Sequence, residues 1–320
     1  MRAPRFIQLH ELQAAPLAAE AAAGLCATAA HVSPKFFYDA LGSRLFDAIT
    51  ELDEYYPTRT EAAIMATHQA EMTVAVHRAV GTAPTLVDLG AGNGAKAASW
   101  FQPLGLARYV AIDISVDFLR GSIASLQRQH PAIEMVGLGL DFSADLAVPE
   151  GLVEGPALVF YPGSSIGNFK REQALRLLRQ ARSLCQGGAL FIGVDLVKPK
   201  AVLEAAYDDA LGVTAAFNLN LLRHLNRLLG ADFDLRQWQH VALYDEAQGR
   251  IEMHLQARQA LTVRWPGGSR SFEPGERIHT ENSYKWRPAD FAALLREAGF
   301  AQVQAWTDPQ DWFAVMLALA

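Results

Sequence analysis

Continuous apolar runs alternate with amphipathic stretches through the first part of the chain. The apolar runs, which predict buried strands, are 85–89, 109–113, 135–141, 157–161 and 189–196. Apolar positions at helical spacing predict helices at 44–50, 60–80, from Ala95 onward, across 116–129 and over 172–185. Strands that are apolar throughout need cover on both faces, and their alternation with helices is typical of βαβ units. The pattern therefore predicts an α/β protein with a doubly wound, Rossmann-like parallel sheet.

The pattern changes after Pro199. The segments that follow are a helical stretch over 200–229, alternating apolar and polar residues over 238–279, an amphipathic helix over 288–299, and two closing strands around 303–306 and 312–317. Alternation with short turns predicts antiparallel strands, and the closing strands would complete the first sheet. We therefore predict a sheet domain formed by 1–198 and 285–320, with an inserted α+β domain, 199–284.

Composition limits the class of partner. The chain has 320 residues, 51% of them hydrophobic, and a net charge of −6, and its Lys and Arg residues are scattered. Such a chain can bury a core but presents no basic field for a polyanion, so we expect a small-molecule partner and no nucleic acid. The N-terminal stretch contains no apolar run of about 18 residues, so we expect neither a membrane helix nor a signal peptide.

The cysteines and histidines indicate no metal centre. Cys26 and Cys185 lie far apart and outside any CxxC motif, which argues against a disulfide framework and against structural zinc. The nine histidines form no cluster at ligand spacing. We expect a monomer in a reducing cytoplasm.

A glycine-rich turn follows the first apolar run. It reads Asp88-x-Gly90-x-Gly92-x-Gly94, between a predicted strand and a predicted helix. Glycines leave the backbone N–H groups of such a turn open to a cofactor. The D-x-G-x-G-x-G form is typical of folds that bind S-adenosylmethionine, although Gly90, Gly92 and Ala95 also satisfy the dinucleotide pattern G-x-G-x-x-G/A. The turn alone therefore leaves both cofactors open.

Acidic residues at the next strand ends favour S-adenosylmethionine. Asp113 lies about 20 residues beyond the turn, where a carboxylate can bind ribose hydroxyls. Asp141 and Phe142 end the third apolar run, and an acid beside an aromatic ring suits an adenine amine and ring face. The second half offers no recognisable His, Lys or Tyr set for a dehydrogenase.

An aromatic stretch, Glu54–Thr58, reads as a loop ended by a proline, and its tyrosines are either packing residues or pocket wall.

Several longer motifs carry a resemblance to a known family. They are Lys35–Phe46, Glu54–Arg59, Tyr161–Phe169, Gly193–Leu196, Ala206–Asn218, Ile251–Leu255 and Thr280–Lys285. These segments are similar to those of the histidine-specific methyltransferases that make trimethylhistidine (hercynine) on the ergothioneine pathway, and the match runs over nearly the whole chain. One departure is Asn93-Gly94-Ala95-Lys96, where the family commonly has a Ser before a Lys-Thr pair.

The resemblance implies a class I methyltransferase fold with 199–284 as an inserted substrate-binding domain. It also implies S-adenosylmethionine as cofactor, and L-histidine and its mono- and dimethyl forms as substrates. With the glycine motif, it assigns to the cofactor Asp88, Gly90, Gly92, Lys96, Asp113, Asp141 and Phe142. It assigns to the histidine substrate Tyr56, Asn168, Tyr207, Met253, Glu281 and Ser283. It implies that Tyr38, Asn168 and the Gly163 backbone lie near the reacting amine and have the catalytic role.

Each assignment has a simpler structural alternative. Asn168 precedes a predicted helix and is suited to cap it. Tyr207 and Met253 have apolar neighbours typical of core positions, whereas Glu281 and Ser283, two residues apart, share one face only if their segment is extended. Alternative functions are a methyltransferase of the same fold for another amino acid such as tryptophan, an NAD-binding enzyme, and a non-catalytic nucleotide-binding module.

Overall fold

The computed structural model describes residues 3–9, 14–143 and 145–320. These residues form two compact units. The first unit contains residues 3–9, Pro57–Val197 and Lys285–Ala320. The second unit contains the described part of Leu12–Tyr56 together with Lys198–Tyr284.

Helices and strands account for most of the described chain. The strands are β1 (Arg5–Gln8), β2 (Thr85–Leu89), β3 (Arg108–Asp113), β4 (Glu134–Gly139), β5 (Ala157–Tyr161), β6 (Ala189–Asp195), β7 (Trp238–Asp245), β8 (Arg250–Ala257), β9 (Leu261–Trp265), β10 (Gly268–Phe272), β11 (Arg277–Tyr284), β12 (Gln302–Thr307) and β13 (Phe313–Leu319). The α-helices are α1 (Ala14–Cys26), α2 (Ala40–Thr50), α3 (Tyr56–Val80), α4 (Ala95–Phe101), α5 (Val116–Gln129), α6 (Arg171–Leu184), α7 (Lys200–Tyr207), α8 (Val213–Leu229) and α9 (Pro288–Glu297). Short 3-10 helices span Pro34–Phe37, Ser165–Asn168 and Leu235–Gln237.

The first unit is built on one mixed sheet with the strand order β1-β4-β3-β2-β5-β6-β13-β12. Neighbouring strands from β1 to β6 pair in parallel, and β13 runs antiparallel to both β6 and β12. The central strands are buried along nearly their whole length, as the continuous apolar runs predicted. Helix α5 buries Leu119, Ile123 and Leu126, which share one helical face.

The second unit combines helices with antiparallel strands. Its three-stranded sheet has the order β11-β8-β7, and β9 pairs with β10 as a hairpin. Helix α8 packs against α2 and against β7 and β8. Phe217 on α8 stacks on Phe37 with ring centroids 4.6 Å apart, so the 3-10 helix Pro34–Phe37 is fixed to α8.

The structure differs from the predicted elements in several places, and helix α1 is among the elements that were not predicted. Residues 200–229 form two helices, because Gly212 adopts the left-handed φ of +74° and Asp209 accepts from the Val213 and Thr214 N–H groups that open α8. The predicted aromatic loop instead begins α3 at Tyr56, since a proline in the first turn of a helix gives up no helical hydrogen bond. Strand β1 was not predicted; it is short and, among the described residues, pairs with β4 alone.

The division into units also differs from the predicted domains. The prediction assigned the first 198 residues to the sheet domain, whereas the described part of Leu12–Tyr56 packs within the second unit. One reason is a direct backbone contact, because the Val32 N–H donates to the His279 carbonyl at 2.9 Å. Amphipathic helices that pack on a distant segment cannot be assigned to a domain from periodicity alone.

Gly42 on α2 provides a test of this packing. A Cβ at position 42 would lie 1.7 Å from the Phe37 carbonyl oxygen, so we expect Gly42→Ala to lower the free energy of unfolding by about 1–3 kcal/mol. The control is Leu41→Ala at a neighbouring exposed position. Equal denaturant midpoints for the two variants would contradict the close packing of α2.

Candidate active site

The glycine turn lies at the carboxyl end of β2. Gly90 and Gly92 have φ of +71° and +54°, a backbone conformation that favours glycine. The Gly90 N–H donates to the Ile112 carbonyl at 2.9 Å, and the Gly92 N–H donates to Asp113 Oδ2 at 2.9 Å. The turn is therefore held against the end of β3, with a predicted cofactor residue as one of its anchors.

Asp113 and Phe142 lie against this turn, and Asp141 directly precedes Phe142. Asp113 Oδ1 also accepts from the Ser115 N–H at 2.8 Å, and burial raises the pKa of Asp113. Asp141 accepts from the Ser143 hydroxyl at 2.5 Å and follows β4 by two residues. The Phe142 ring lies 3.8 Å from the position of a Cβ at Gly90. A Cβ at Gly92 would meet no described atom within 4 Å, so open space adjoins the turn.

Asp88 lies beneath the turn as a buried acid. The Tyr109 hydroxyl donates to Asp88 Oδ2 at 2.8 Å, whereas Oδ1 is buried without a hydrogen-bond partner among the described residues. Burial raises the pKa of Asp88 to about 7. Near neutral pH this carboxyl group is therefore present in both protonation states.

Lys96 is tied to a residue that the sequence did not indicate. Its Nζ donates to Glu61 Oε2 at 2.6 Å, and the other oxygen of the same carboxylate accepts from the Gly163 N–H at 2.8 Å. Glu61 is fully buried, whereas the Lys96 side chain is 37% exposed. The Gly163 N–H is thus already engaged by Glu61.

The loop after β5 positions Asn168. Gly163 and Ser164 both have positive φ, and Ser164 Oγ accepts from the Asp195 N–H at 2.8 Å. Asn168 ends the 3-10 helix that follows, and α6 begins only at Arg171 with Lys170 as its N-cap residue. Asn168 therefore does not cap α6, which removes the structural alternative considered from the sequence.

Tyr207 and Ser283 form a buried hydroxyl pair in the second unit. The Tyr207 hydroxyl donates to Ser283 Oγ at 2.7 Å. The Tyr207 carbonyl accepts from His240 Nε2 at 2.8 Å, while His240 Nδ1 lies 2.8 Å from the Asn218 amide nitrogen. A network of polar side chains thus supports the end of α7.

Glu281, Ser283 and Met253 share one face of the small sheet. Glu281 is the cross-strand partner of Met253, and Ser283 is the partner of Ile251. Partners across an antiparallel pair point to the same face. Glu281 is 8% exposed and Ser283 is 5% exposed, so this acid and hydroxyl do not belong to a solvated face.

Tyr56 and Tyr38 complete the set in the second unit. The Lys198 ammonium donates to the Tyr56 hydroxyl at 2.8 Å and lies 4.4 Å from the ring centroid, so the buried Tyr56 has a polar partner. The half-buried Tyr38 ring packs edge-on against Phe46 and Phe217. The predicted residues thus fall into two groups: the seven cofactor residues with Gly163 and Asn168 in the first unit, and the others in the second.

Fold and turn together define the class of protein. The strand order β4-β3-β2-β5-β6-β13-β12, with β13 antiparallel to its neighbours, is the arrangement of class I S-adenosylmethionine-dependent methyltransferases. The model of the histidine-specific, SAM-dependent methyltransferase family matches residues 17–320. The chain belongs to this family, and the dinucleotide-binding alternative is thereby set aside.

Curated relatives agree with the family match. The chain is 42% identical to the histidine N-alpha-methyltransferase of Mycolicibacterium smegmatis, over 98% of this chain and 99% of that protein. It is 40% identical to the protein of the same name from Mycobacterium tuberculosis, over 92% of each chain. It is 29% identical to ergothioneine biosynthesis protein 1 of Neurospora crassa, over 88% of this chain and 32% of that protein.

The described residues lack the features of two other classes of site. None of their helices is long and apolar enough to cross a membrane. No group of three or more His, Cys, Asp or Glu side chains among them is arranged to hold a metal ion.

Glu61 is the residue that sequence reasoning missed. It contacts residues 35 and 102 positions away in the sequence, so no local spacing indicates it. An available signal was Gly193, an isolated glycine in the apolar run of β6, because such a glycine often marks a close approach. A Cβ at Gly193 would lie 2.0 Å from Glu61 Oε1.

Gly92 provides a test of the cofactor turn. We expect Gly92→Val to weaken binding of S-adenosylhomocysteine at least about tenfold in calorimetry, because a branched residue at positive φ displaces the N–H from Asp113 and fills the open space. Gly105→Val is the matched control, with φ of +57° and no atom within 4 Å of its Cβ position. Equal affinities for the two variants would remove the turn from the cofactor site.

Proposed function

We propose that this enzyme transfers three methyl groups from S-adenosylmethionine to the α-amino nitrogen of L-histidine and releases hercynine, a step of ergothioneine biosynthesis. The observation that carries the proposal is the buried acid–hydroxyl pair, Glu281 and Ser283, facing Met253 in the second unit. An acceptor and a hydroxyl side by side match the two ring nitrogens of an imidazole. The names of the bacterial relatives support the same substrate.

The residues around the glycine turn fit S-adenosylmethionine. Open space adjoins Gly92, and the Asp113 carboxylate and the Phe142 ring flank the turn with the groups that a ribose and an adenine need. We propose that Asp113 binds the ribose, that Asp141 and Phe142 bind adenine, and that Lys96 and the turn of Asp88, Gly90 and Gly92 line the remainder. When bound, the cofactor supplies an electrophilic methyl group on its sulfonium.

The second unit is proposed to bind the imidazole and the carboxylate of histidine. Glu281 accepts from an imidazole N–H, Ser283 bonds the other ring nitrogen, and the Met253 thioether contacts the ring. Tyr207 donates to the substrate carboxylate. Since its hydroxyl proton points to Ser283 here, substrate binding requires the two hydroxyl groups to reorient. Tyr56 is assigned to the same site.

Asn168, Gly163 and Tyr38 are proposed to orient the amine. An amide can donate to the carboxylate and accept from the amine at once, which suits Asn168. The Gly163 N–H is engaged by Glu61, so we assign the Gly163 carbonyl as the backbone acceptor for the amine. An α-amino group has a pKa of about 8, so removing its proton near pH 7 costs only about 1–2 kcal/mol of free energy. Orientation of its lone pair is then the main task of the protein.

Three methylations follow from separate anchoring of the substrate. Each transfer removes an N–H donor, but the imidazole and carboxylate contacts do not involve that nitrogen. The dimethylamine still has a lone pair, whereas the trimethylated product has none and carries a bulky cation that cannot donate hydrogen bonds. We therefore expect the trimethylated product to bind most weakly and to leave.

Mass spectrometry of the products tests this proposal. The enzyme is incubated with S-adenosylmethionine and a panel of free amino acids that includes tryptophan, and histidine is expected to be converted to its trimethyl form. We expect Tyr38→Phe to shift the balance of mono-, di- and trimethylhistidine more than it changes histidine affinity. Methylation of tryptophan in preference to histidine, or failure to convert added dimethylhistidine, would contradict the proposal.

Glu281→Ala tests the specificity of the site. It leaves an imidazole N–H without its acceptor in a buried site, a loss of about 1–3 kcal/mol, so KM for histidine should rise roughly tenfold to a hundredfold. Cofactor affinity should stay unchanged, and discrimination against apolar aromatic amino acids should weaken. The control is Glu273→Ala at an exposed position. A KM for Glu281→Ala equal to that of the control would remove Glu281 from the site.

We propose that the second unit is the substrate-binding domain, that the enzyme is a cytoplasmic monomer, and that its partners are small molecules rather than nucleic acid or membrane. The scattered basic residues and the net charge of −6 support the absence of a nucleic-acid partner. Size-exclusion chromatography with light scattering tests the monomer.

A further inference from the structure

Glu61 is a buried carboxylate whose two oxygens have different partners. It lies on α3 and is 0% exposed. One oxygen accepts from the Lys96 ammonium at 2.6 Å and the other from the Gly163 N–H at 2.8 Å. A buried carboxylate is tolerated only when hydrogen bonds and a counter-charge satisfy it. The buried Glu61 carboxylate therefore needs both partners, and it holds both of them in place.

The two partners belong to different parts of the candidate site. Lys96 is in the first turn of α4, directly after the glycine turn, and Gly163 opens the loop that leads to Asn168. An ammonium has three donors, so the half-exposed Lys96 can bind Glu61 and still reach a ligand. Anchoring the Gly163 N–H fixes the peptide that precedes Gly163, and the Asp195 N–H holds the next residue through Ser164 Oγ. The Gly163 carbonyl therefore lies between two anchored points.

The surrounding backbone is shaped for this carboxylate. Gly193 on β6 would place a Cβ 2.0 Å from Glu61 Oε1 and 3.1 Å from the Gly163 nitrogen, so only glycine leaves room for the contact. A Cβ at Gly163 would lie 3.3 Å from Lys96 Nζ. The four residues are thus packed closely enough that a shift of one displaces the others.

We propose that Glu61 is a positioning residue for methyl transfer: its two oxygens hold Lys96, on the cofactor side, and Gly163, on the amine side, in fixed positions relative to each other. This inference rests on the proposed function for the roles of the two partners. The contact itself is independent of which amino acid is methylated.

A double-mutant cycle of Glu61→Gln and Lys96→Met tests the inference. A carboxamide has one acceptor oxygen and one donor nitrogen, so in Glu61→Gln one of the two contacts is lost. Lys96→Met leaves a buried carboxylate without its cation. In the double variant the amide oxygen can accept from Gly163 while its NH₂ faces an uncharged side chain, so the pair is restored to a compatible state.

The expected results separate positioning from a general structural role. Glu61→Gln should slow single-turnover methyl transfer at least about tenfold while changing the Kd of histidine less than about threefold. Lys96→Met should lower Tm by several degrees and weaken S-adenosylhomocysteine binding. The double variant should have a higher Tm than Lys96→Met and transfer methyl groups no more slowly. Glu71→Gln is the matched control, on the same helix with a side chain that is 58% exposed.

The inference is overturned by any of three results. The first is that Glu61→Gln and Glu71→Gln have the same transfer rate. The second is that the loss of transfer rate in the double variant equals the product of the two single losses, with a Tm no higher than that of Lys96→Met. The third is that Glu61→Gln lowers transfer rate, histidine affinity and Tm together, which is the signature of a structural role. The Tm comparison uses protein without substrate. It therefore tests the contact even if the wild-type enzyme methylates another amino acid.

Discussion

The parallel pairing of β4, β3, β2, β5 and β6 is the constraint on which the first unit depends. Parallel strands end at the same edge of a sheet, and the candidate cofactor residues lie at or near strand ends at that edge, with Lys96 in the helix that follows β2. The pairing of β2 with β3 lets the Gly92 N–H reach Asp113. The pairing of β5 with β6 brings Ser164 to the Asp195 N–H. The hydrophobic runs that form these buried strands therefore also determine how far apart the polar groups at the strand ends lie.

The second unit arranges its polar residues by alternation along antiparallel strands and by a supporting network. The Asn218 amide donates to His240 Nδ1, so the proton of the neutral imidazole lies on Nε2 and is donated to the Tyr207 carbonyl. Burial lowers the pKa of His240, which maintains this neutral form. A charged His240 would direct a second N–H at the Asn218 amide. The network thus fixes the end of α7, and with it the hydroxyl that pairs with Ser283.

The sheet, the glycine turn and the family were predictable because they depend on local signals: continuous apolar runs, glycines at fixed spacing and contiguous motifs. Structure that depends on distant partners was not predictable. Residues before Tyr56 read as part of the sheet domain, since their helical periodicity shows a buried face but not what covers it. Strand β1 is too short for a pattern to emerge. Glu61 looks like any polar residue on a helix, and only the contacts with Lys96 and Gly163 reveal its burial.

Two buried acidic residues, Glu61 and Asp195, hold consecutive residues of the loop after β5. Glu61 binds the N–H of Gly163, and the N–H of Asp195 donates to Ser164 Oγ while the Asp195 carboxylate pairs with buried Lys285 at 2.7 Å. Ser164 has a left-handed φ of +57°, which costs about 1–3 kcal/mol in a residue other than glycine or asparagine. Buried ion pairs contribute little net stability, so their value here lies in geometry rather than in folding free energy. A loop held in this way has its shape before a ligand arrives, and the entropy cost of ordering it is not subtracted from the binding free energy.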